Sequence, residues 1–196
     1  MAPSLPPLYP VNLRLGGQPC LVVGGGRVAA RKAAGLVEAG AQVTVVAPEL
    51  DPAMDELVLG GAVRVERRPY RAGEVAGHRL VITATGDPAV DGQVYADGEA
   101  HGVWVNAADD PQHCRVTLPA VVRQGPILAT FSTGGASPAL ATWMRRRYAD
   151  ELGPEYLALL DLLSEQRQRL QAEGRSTEGL DWQPALDSGM LDLVRE

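Results

Sequence analysis

Residues 20–32 read Cys20-Leu21-Val22-Val23-Gly24-Gly25-Gly26-Arg27-Val28-Ala29-Ala30-Arg31-Lys32, three glycines set between an apolar run and a helix-like run. The run at 20–23 is short, apolar and β-branched, the pattern of a strand buried in a parallel sheet. From Val28 the apolar residues Val28, Ala29, Ala33, Leu36 and Val37 recur at helical spacing, and Gly40 is a C-cap candidate. The glycines are therefore a strand-to-helix turn. Gly24-x-Gly26-x-x-Ala29 fits the dinucleotide fingerprint, with Gly24 making the turn, Gly26 admitting a pyrophosphate and Ala29 allowing close helix–sheet packing. Backbone N–H groups at the helix start would face the anion, which makes Gly24, Gly25, Gly26, Arg27 and Val28 the candidate cofactor contacts. Small residues that merely fit a tight turn would leave the same trace. The second apolar run, QVTVVA at 42–47, follows at the distance the nucleotide reading requires.

Working outward, the pattern predicts a short helix at 53–59, a Gly60-Gly61 stop and a strand at 63–66. LVITAT at 80–85 is a fourth strand, followed by Gly86-Asp87-Pro88 and a polar helix to about His101. WVNA at 104–107 is a fifth. The alternation predicts an α/β fold with a Rossmann-like open parallel sheet, whose ligand lies beyond the carboxyl ends of the strands. Residues 24–26, 84–87 and 106–110 all fall there, which adds Thr85 to the cofactor set. After Pro111 two strand-like runs, 116–123 and 127–132, flank Gln124-Gly125-Pro126 and predict an antiparallel hairpin or a pair of strands leaving the sheet. Ser132-Thr133-Gly134-Gly135-Ala136-Ser137-Pro138 then opens a helix, with Ser137 as N-cap and Pro138 at its first position. Residues 138–152 and 154–171 read as helical, and the tail supports short helices at most.

The chain has 196 residues, 45% of them hydrophobic, which is enough for one large or two small cores. A net charge of −6 argues against nonspecific nucleic-acid binding, so an anionic ligand must meet a local patch. No apolar stretch of about 20 residues and no signal-peptide pattern occurs, so the expectation is no membrane partner and a cytoplasmic location. With two cysteines, Cys20 and Cys114, neither a disulfide framework nor a metal site is expected, and Cys20 reads as a small core residue. Lys32 is the only lysine and lies on the first helix, which argues against covalent amine catalysis.

Ala47 occupies the tip of the second strand, where nicotinamide-binding folds often carry an acid for the adenosine ribose. Glu49 lies two residues on, and either its side chain or the Pro48-Glu49 backbone can serve. No arginine stands at that tip to hold a 2′-phosphate, which favours NAD over NADP. Asn106-Ala107-Ala108-Asp109-Asp110-Pro111 ends the fifth strand, where a carboxylate such as Asp109 can act as a general base or simply cap an Asp-Pro turn. His113 can shuttle a proton or stand at the surface. The Tyr-x-x-x-Lys pair of short-chain dehydrogenases is absent, Tyr148 being followed four residues later by Leu152.

The run from Tyr9 to Leu50, then VITATGD, VNAADDP and FSTGGASPALATWMRRR, resembles the precorrin-2 dehydrogenases of sirohaem and cobalamin biosynthesis. The resemblance covers about residues 9–163 and rests on four motifs in order. It implies NAD-dependent oxidation of precorrin-2 to sirohydrochlorin, with ferrous-iron insertion in some members. It makes Asp109, in the family's Asn-x-x-Asp motif, the catalytic candidate, and Asn106, His113, Ser132, Thr133, Gly134 and Gly135 the candidate substrate contacts. Threonine at 133 stands where some relatives have serine. The implied organisation is an NAD-binding domain at 1–112, a dimerisation region at 113–147 and a helical domain at 148–196, working as a homodimer. A polycarboxylate substrate needs local donors, and the amides at 134–136 with Arg115, Arg123 or Arg145–Arg147 are available. Successive helical residues turn by about 100°, so the arginine triplet cannot converge on one ligand. Two other functions fit parts of the pattern: a non-catalytic NAD-sensing module needs only residues 24–29, and an oxidoreductase for another small acid does not need the helix start at 132–138.

Overall fold

The computed structural model describes residues 7–108, 110–176 and 180–195. Asp109 lies outside the described residues. The chain divides into two compact units, Met1–Leu118 and Pro119–Glu196.

The first unit is built on a parallel sheet of β1 (Pro19–Val23), β2 (Gln42–Val46), β3 (Val63–Glu66), β4 (Leu80–Thr83) and β5 (Trp104–Ala107), in the order β3-β2-β1-β4-β5. Helices α1 (Arg27–Glu38), α2 (Pro52–Leu59) and α3 (Pro88–His101) connect β1 to β2, β2 to β3 and β4 to β5. An irregular segment, residues 67–79, connects β3 to β4 and buries Val75 completely. β1 shows why the sequence folds this way. Cys20 and Val22 join one core with Ala29, Ala30, Ala33 and Met54, whereas Leu21 and Val23 join a second with Val75, Val81, Val94 and Val105. Alternate residues of one strand thus serve two cores, and every position must be apolar. Alanines at 29, 30 and 33 let α1 lie close on the sheet, and Gly40 ends it at φ +76°. Burial raises the Cys20 thiol pKa above its ordinary value, in keeping with an inert core side chain.

The second unit opens with a hairpin, β6 (Ala120–Gln124) and β7 (Ile127–Phe131), paired antiparallel with Gln124 opposite Ile127. Gly125 at φ +53° and Pro126 form its two-residue turn. β6 begins at Ala120 rather than 116, so Pro119 precedes the strand and removes no ladder donor, and Val116 packs against the first unit's own core. Helices α4 (Pro138–Glu151) and α5 (Glu155–Ala172) follow, then short helical segments including Gln183–Ala185 and Leu191–Arg195. Val122 points inward, and Phe131 stacks on Tyr148 with ring centroids 5.1 Å apart. Val121 and Leu128 face outward, as do Leu140 and Trp143 on α4.

Candidate nucleotide site and the loops around it

The order in which strands are added reverses between the parallel neighbours β1 and β4, and the carboxyl ends of these strands form the crevice where such sheets bind ligands. Each glycine of the loop has its own reason to be glycine. Gly24 has φ +123°, and a Cβ there would strike the Ala84 carbonyl. At Gly25 a Cβ would strike the Glu49 carbonyl and stand 3.0 Å from Ala47 Cβ. Gly26 has φ −74° and open space around its missing side chain. Two glycines are thus required by packing, and the third leaves room for something else.

Gly26 is also the N-cap of α1, and no side chain bonds the first amides of that helix. The other helices around it are closed. Asp51 accepts from Ala53 N at 3.0 Å at the start of α2, and Asp87 accepts from Ala89 N at 2.9 Å at the start of α3. Gly26, Arg27 and Val28 are exposed in succession. An uncapped helix start with three exposed residues fits a pyrophosphate, which N–H groups and the helix dipole both favour. Asp51 N bonds Gly25 O at 2.8 Å and brings Pro48 and Glu49, both exposed, to the edge of the same loop. Glu49 has no hydrogen-bond or ion-pair partner among the described residues.

At the end of β4, Thr83 and Thr85 both donate through their hydroxyls to Asp91 Oδ1, the second at 2.7 Å. Asp91 is a buried carboxylate on the first turn of α3, and sequence reasoning missed it. The Thr-x-Thr at 83–85 with an acid in the next helix's first turn was the available signal. The Thr85 hydroxyl also accepts from Asp87 N at 3.0 Å, so this side chain shapes the loop while its backbone lies against Gly24.

Asn106, one residue before the end of β5, is buried. Its amide donates to Val116 O at 2.8 Å, clamping the returning chain, and Cys114 Sγ donates to Ala107 O and Asp110 O at 3.2 Å each. Burial raises the Cys114 pKa. Asp110 accepts from Gln112 N at 3.2 Å and lies 2.6 Å from His113 Nδ1, and that bond to the imidazole holds its carboxyl below its usual range. His113 also meets the Tyr95 ring edge-on at 5.1 Å. The residues flanking position 109 are thus braced from several sides, Ala108 N bonding Thr83 O at 2.8 Å as well. Arg115 is not a free anion donor, since its guanidinium forks onto Glu99.

Ser132, Thr133, Gly134 and Gly135 belong to the second unit. Ser132 Oγ accepts from Gly134 N at 3.3 Å and Thr133 Oγ1 from Ser137 N at 3.0 Å, while Ser137 caps α4 through Leu140 N at 3.2 Å. Gly134 and Gly135 have φ +62° and +86°, which side chains rarely adopt. Both hydroxyls hold the loop as acceptors and keep a proton to donate. Among the described residues no group of three His, Cys, Asp or Glu is placed to hold a metal ion, and no helix is long and apolar enough to cross a membrane.

Residues 11–120 match a family described as "Putative NAD(P)-binding". The chain belongs to this NAD(P)-binding family. The match spans the glycine loop, Glu49, Thr85, Asn106 and His113. Among relatives, the chain is 39% identical over 161 residues to siroheme synthase from Methylococcus capsulatus, covering 82% of the chain and 34% of that protein. It is 40% identical over 163 residues to siroheme synthase from Pseudomonas putida, covering 83% and 35%. The chain thus spans about a third of the length of these curated relatives. A solved structure described as SirC, precorrin-2 dehydrogenase, superposes with a TM-score of 0.74 at 28% identity, covering 96% of this chain and 99% of that one. This member of the NAD(P)-binding family therefore shares its whole fold, hairpin and helical region included, with a precorrin-2 dehydrogenase.

Proposed function

We propose that the protein oxidises precorrin-2 to sirohydrochlorin with NAD as hydride acceptor. The observation that carries the reading is the uncapped start of α1 beside Gly26, in a chain whose fold matches a precorrin-2 dehydrogenase over 96% of its length. The α1 amides and Gly26 hold the pyrophosphate, Pro48 and Glu49 meet the adenosine ribose, and Gly24 seats the loop against Ala84 and Thr85. When bound, nicotinamide supplies the hydride acceptor. Asp109 takes the proton that leaves as the carbon–hydrogen bond breaks. Loss of one hydride and one proton balances a two-electron oxidation. Ser132 and Thr133 offer hydroxyl donors, and Gly135 its backbone amide, to the substrate carboxylates.

The same reading assigns residues 1–112 to the cofactor, 113–147 to dimerisation and 148–196 to a helical domain. The outward Val121 and Leu128 of the hairpin are suited to pairing with a second copy of the chain, in a cytoplasmic homodimer that engages neither nucleic acid nor membrane. Incubation with precorrin-2 and NAD, following NADH and tetrapyrrole absorbance, tests the activity. Stoichiometric NADH and sirohydrochlorin are expected, and no turnover would reject the assignment. Addition of ferrous iron as a substrate asks whether metal insertion follows.

A further inference from the structure

The tip of β2 carries no basic residue, yet β3 beside it is followed at once by Arg67 and Arg68. Ala47 N donates to Glu66 O at 3.2 Å, so the two tips are locked side by side, about 4.8 Å apart by ordinary strand spacing. Guanidinium groups next to the adenosine-ribose position are what a site for a 2′-phosphate uses. Both are engaged elsewhere. Arg68 donates to Pro69 O at 3.0 Å and to the carboxylates of Glu66 and Glu74, and its side chain is only 22% exposed. Arg67 is more open. It pairs with Asp55 on α2, at 2.9 Å from Nη2 to Oδ1, and the two side chains are 58% and 44% exposed.

We infer that Asp55 is a cofactor-selectivity residue: by holding Arg67 on α2 it withholds a guanidinium that could receive a 2′-phosphate, and so favours NAD over NADP. The inference rests on the nucleotide-site reading above. A 2′-phosphate brings close to two negative charges to a tip where Glu49 is the unpaired acid. To bind there it must displace Asp55 from Arg67 or meet Glu49 without compensation. Because the Arg67–Asp55 pair is solvent-exposed it holds loosely, so a single substitution frees the arginine without dismantling the fold. Arg68, fixed from three sides, has no such freedom.

Titration of the full chain with NADH and NADPH, read by nucleotide fluorescence, tests this. In Asp55→Ala the ratio of NADPH to NADH affinity should rise about two- to fivefold, the size of one solvent-exposed ion pair. Asp55→Ala combined with Arg67→Gln should return the ratio to that of the unsubstituted chain. Glu56→Ala removes an exposed charge from the same helix without touching Arg67, and should leave the ratio where it was. An unchanged ratio in Asp55→Ala, or an equal rise in Glu56→Ala, would overturn the role of Asp55. Failure of the nucleotide site itself reads differently: Gly26→Val would then bind NADH as well as the unsubstituted chain does.

Discussion

Gly25 and Glu49 meet backbone to backbone, the Glu49 carbonyl oxygen lying where a Cβ on residue 25 would stand. One residue on, Gly26 has open space. The neighbours therefore separate folding from binding. Gly25→Ala should cost about 1–3 kcal/mol of stability because a backbone group must move, and urea unfolding will show it. Gly26→Val should unfold near the unsubstituted midpoint yet lose NADH binding, because the branched side chain fills the approach of the pyrophosphate.

Asp91 gathers the hydroxyls of Thr83 and Thr85 under the floor of the crevice. Asp91→Ala leaves the buried Thr83 hydroxyl without its acceptor and should destabilise the fold by about 2–3 kcal/mol. Thr83→Val combined with Asp91→Leu, which removes donor and acceptor together, should restore part of that loss. Paired denaturation curves measure both.

Asp109→Asn should lower precorrin-2 turnover by about 10²–10⁴-fold, the usual worth of a general acid–base group, with NADH affinity close to that of the unsubstituted chain. Single-turnover kinetics with a nucleotide titration separates the two. Near-normal turnover would make Asp109 a turn-former.

The Asp110–His113 contact gives a pH signature. The folded-state pKa of Asp110 is depressed by the imidazole, so the stabilisation is complete above the ordinary aspartate value of about 3.9 and is lost as pH falls through the lower folded value. His113→Gln should bring the Asp110 carboxyl titration, followed by NMR, back toward that ordinary value. A titration that does not move would assign the depression to the backbone bonds at Gln112 and His113.

Sedimentation of Val121→Glu/Leu128→Glu should show a monomer if the outward face of the hairpin pairs two chains. These are the residues to change. Phe131 stacks inward on Tyr148, and replacing it would damage the unit rather than its surface.

The glycine loop, the strand–helix order and the hairpin were legible because their signals are local: an apolar run, a helix period, a Gly-Pro turn. The strands fell within a residue or two of their expected ends, except β6. There Val116 and Leu118 imitate a strand although Val116 belongs to the core of the first unit. What the sequence hid depends on strand order. The tip of β2 read as free of arginine, and only the pairing of β3 beside β2 brings Arg67 and Arg68 to it. The Arg115–Glu99 fork likewise joins residues that no periodicity connects.

The outer side of β5 is closed by the chain's own return: Asn106 bridges antiparallel to Cys114, and Arg115 N bonds Val105 O at 2.9 Å. During synthesis this has a price in time. A nascent chain that has emerged only as far as Ala108 can already assemble all five strands, but it presents a bare strand edge able to pair with any neighbour. Release of residues 114–116 from the ribosome removes that edge. The segment that returns from β5 thus also guards the sheet against its own kind before the chain is complete.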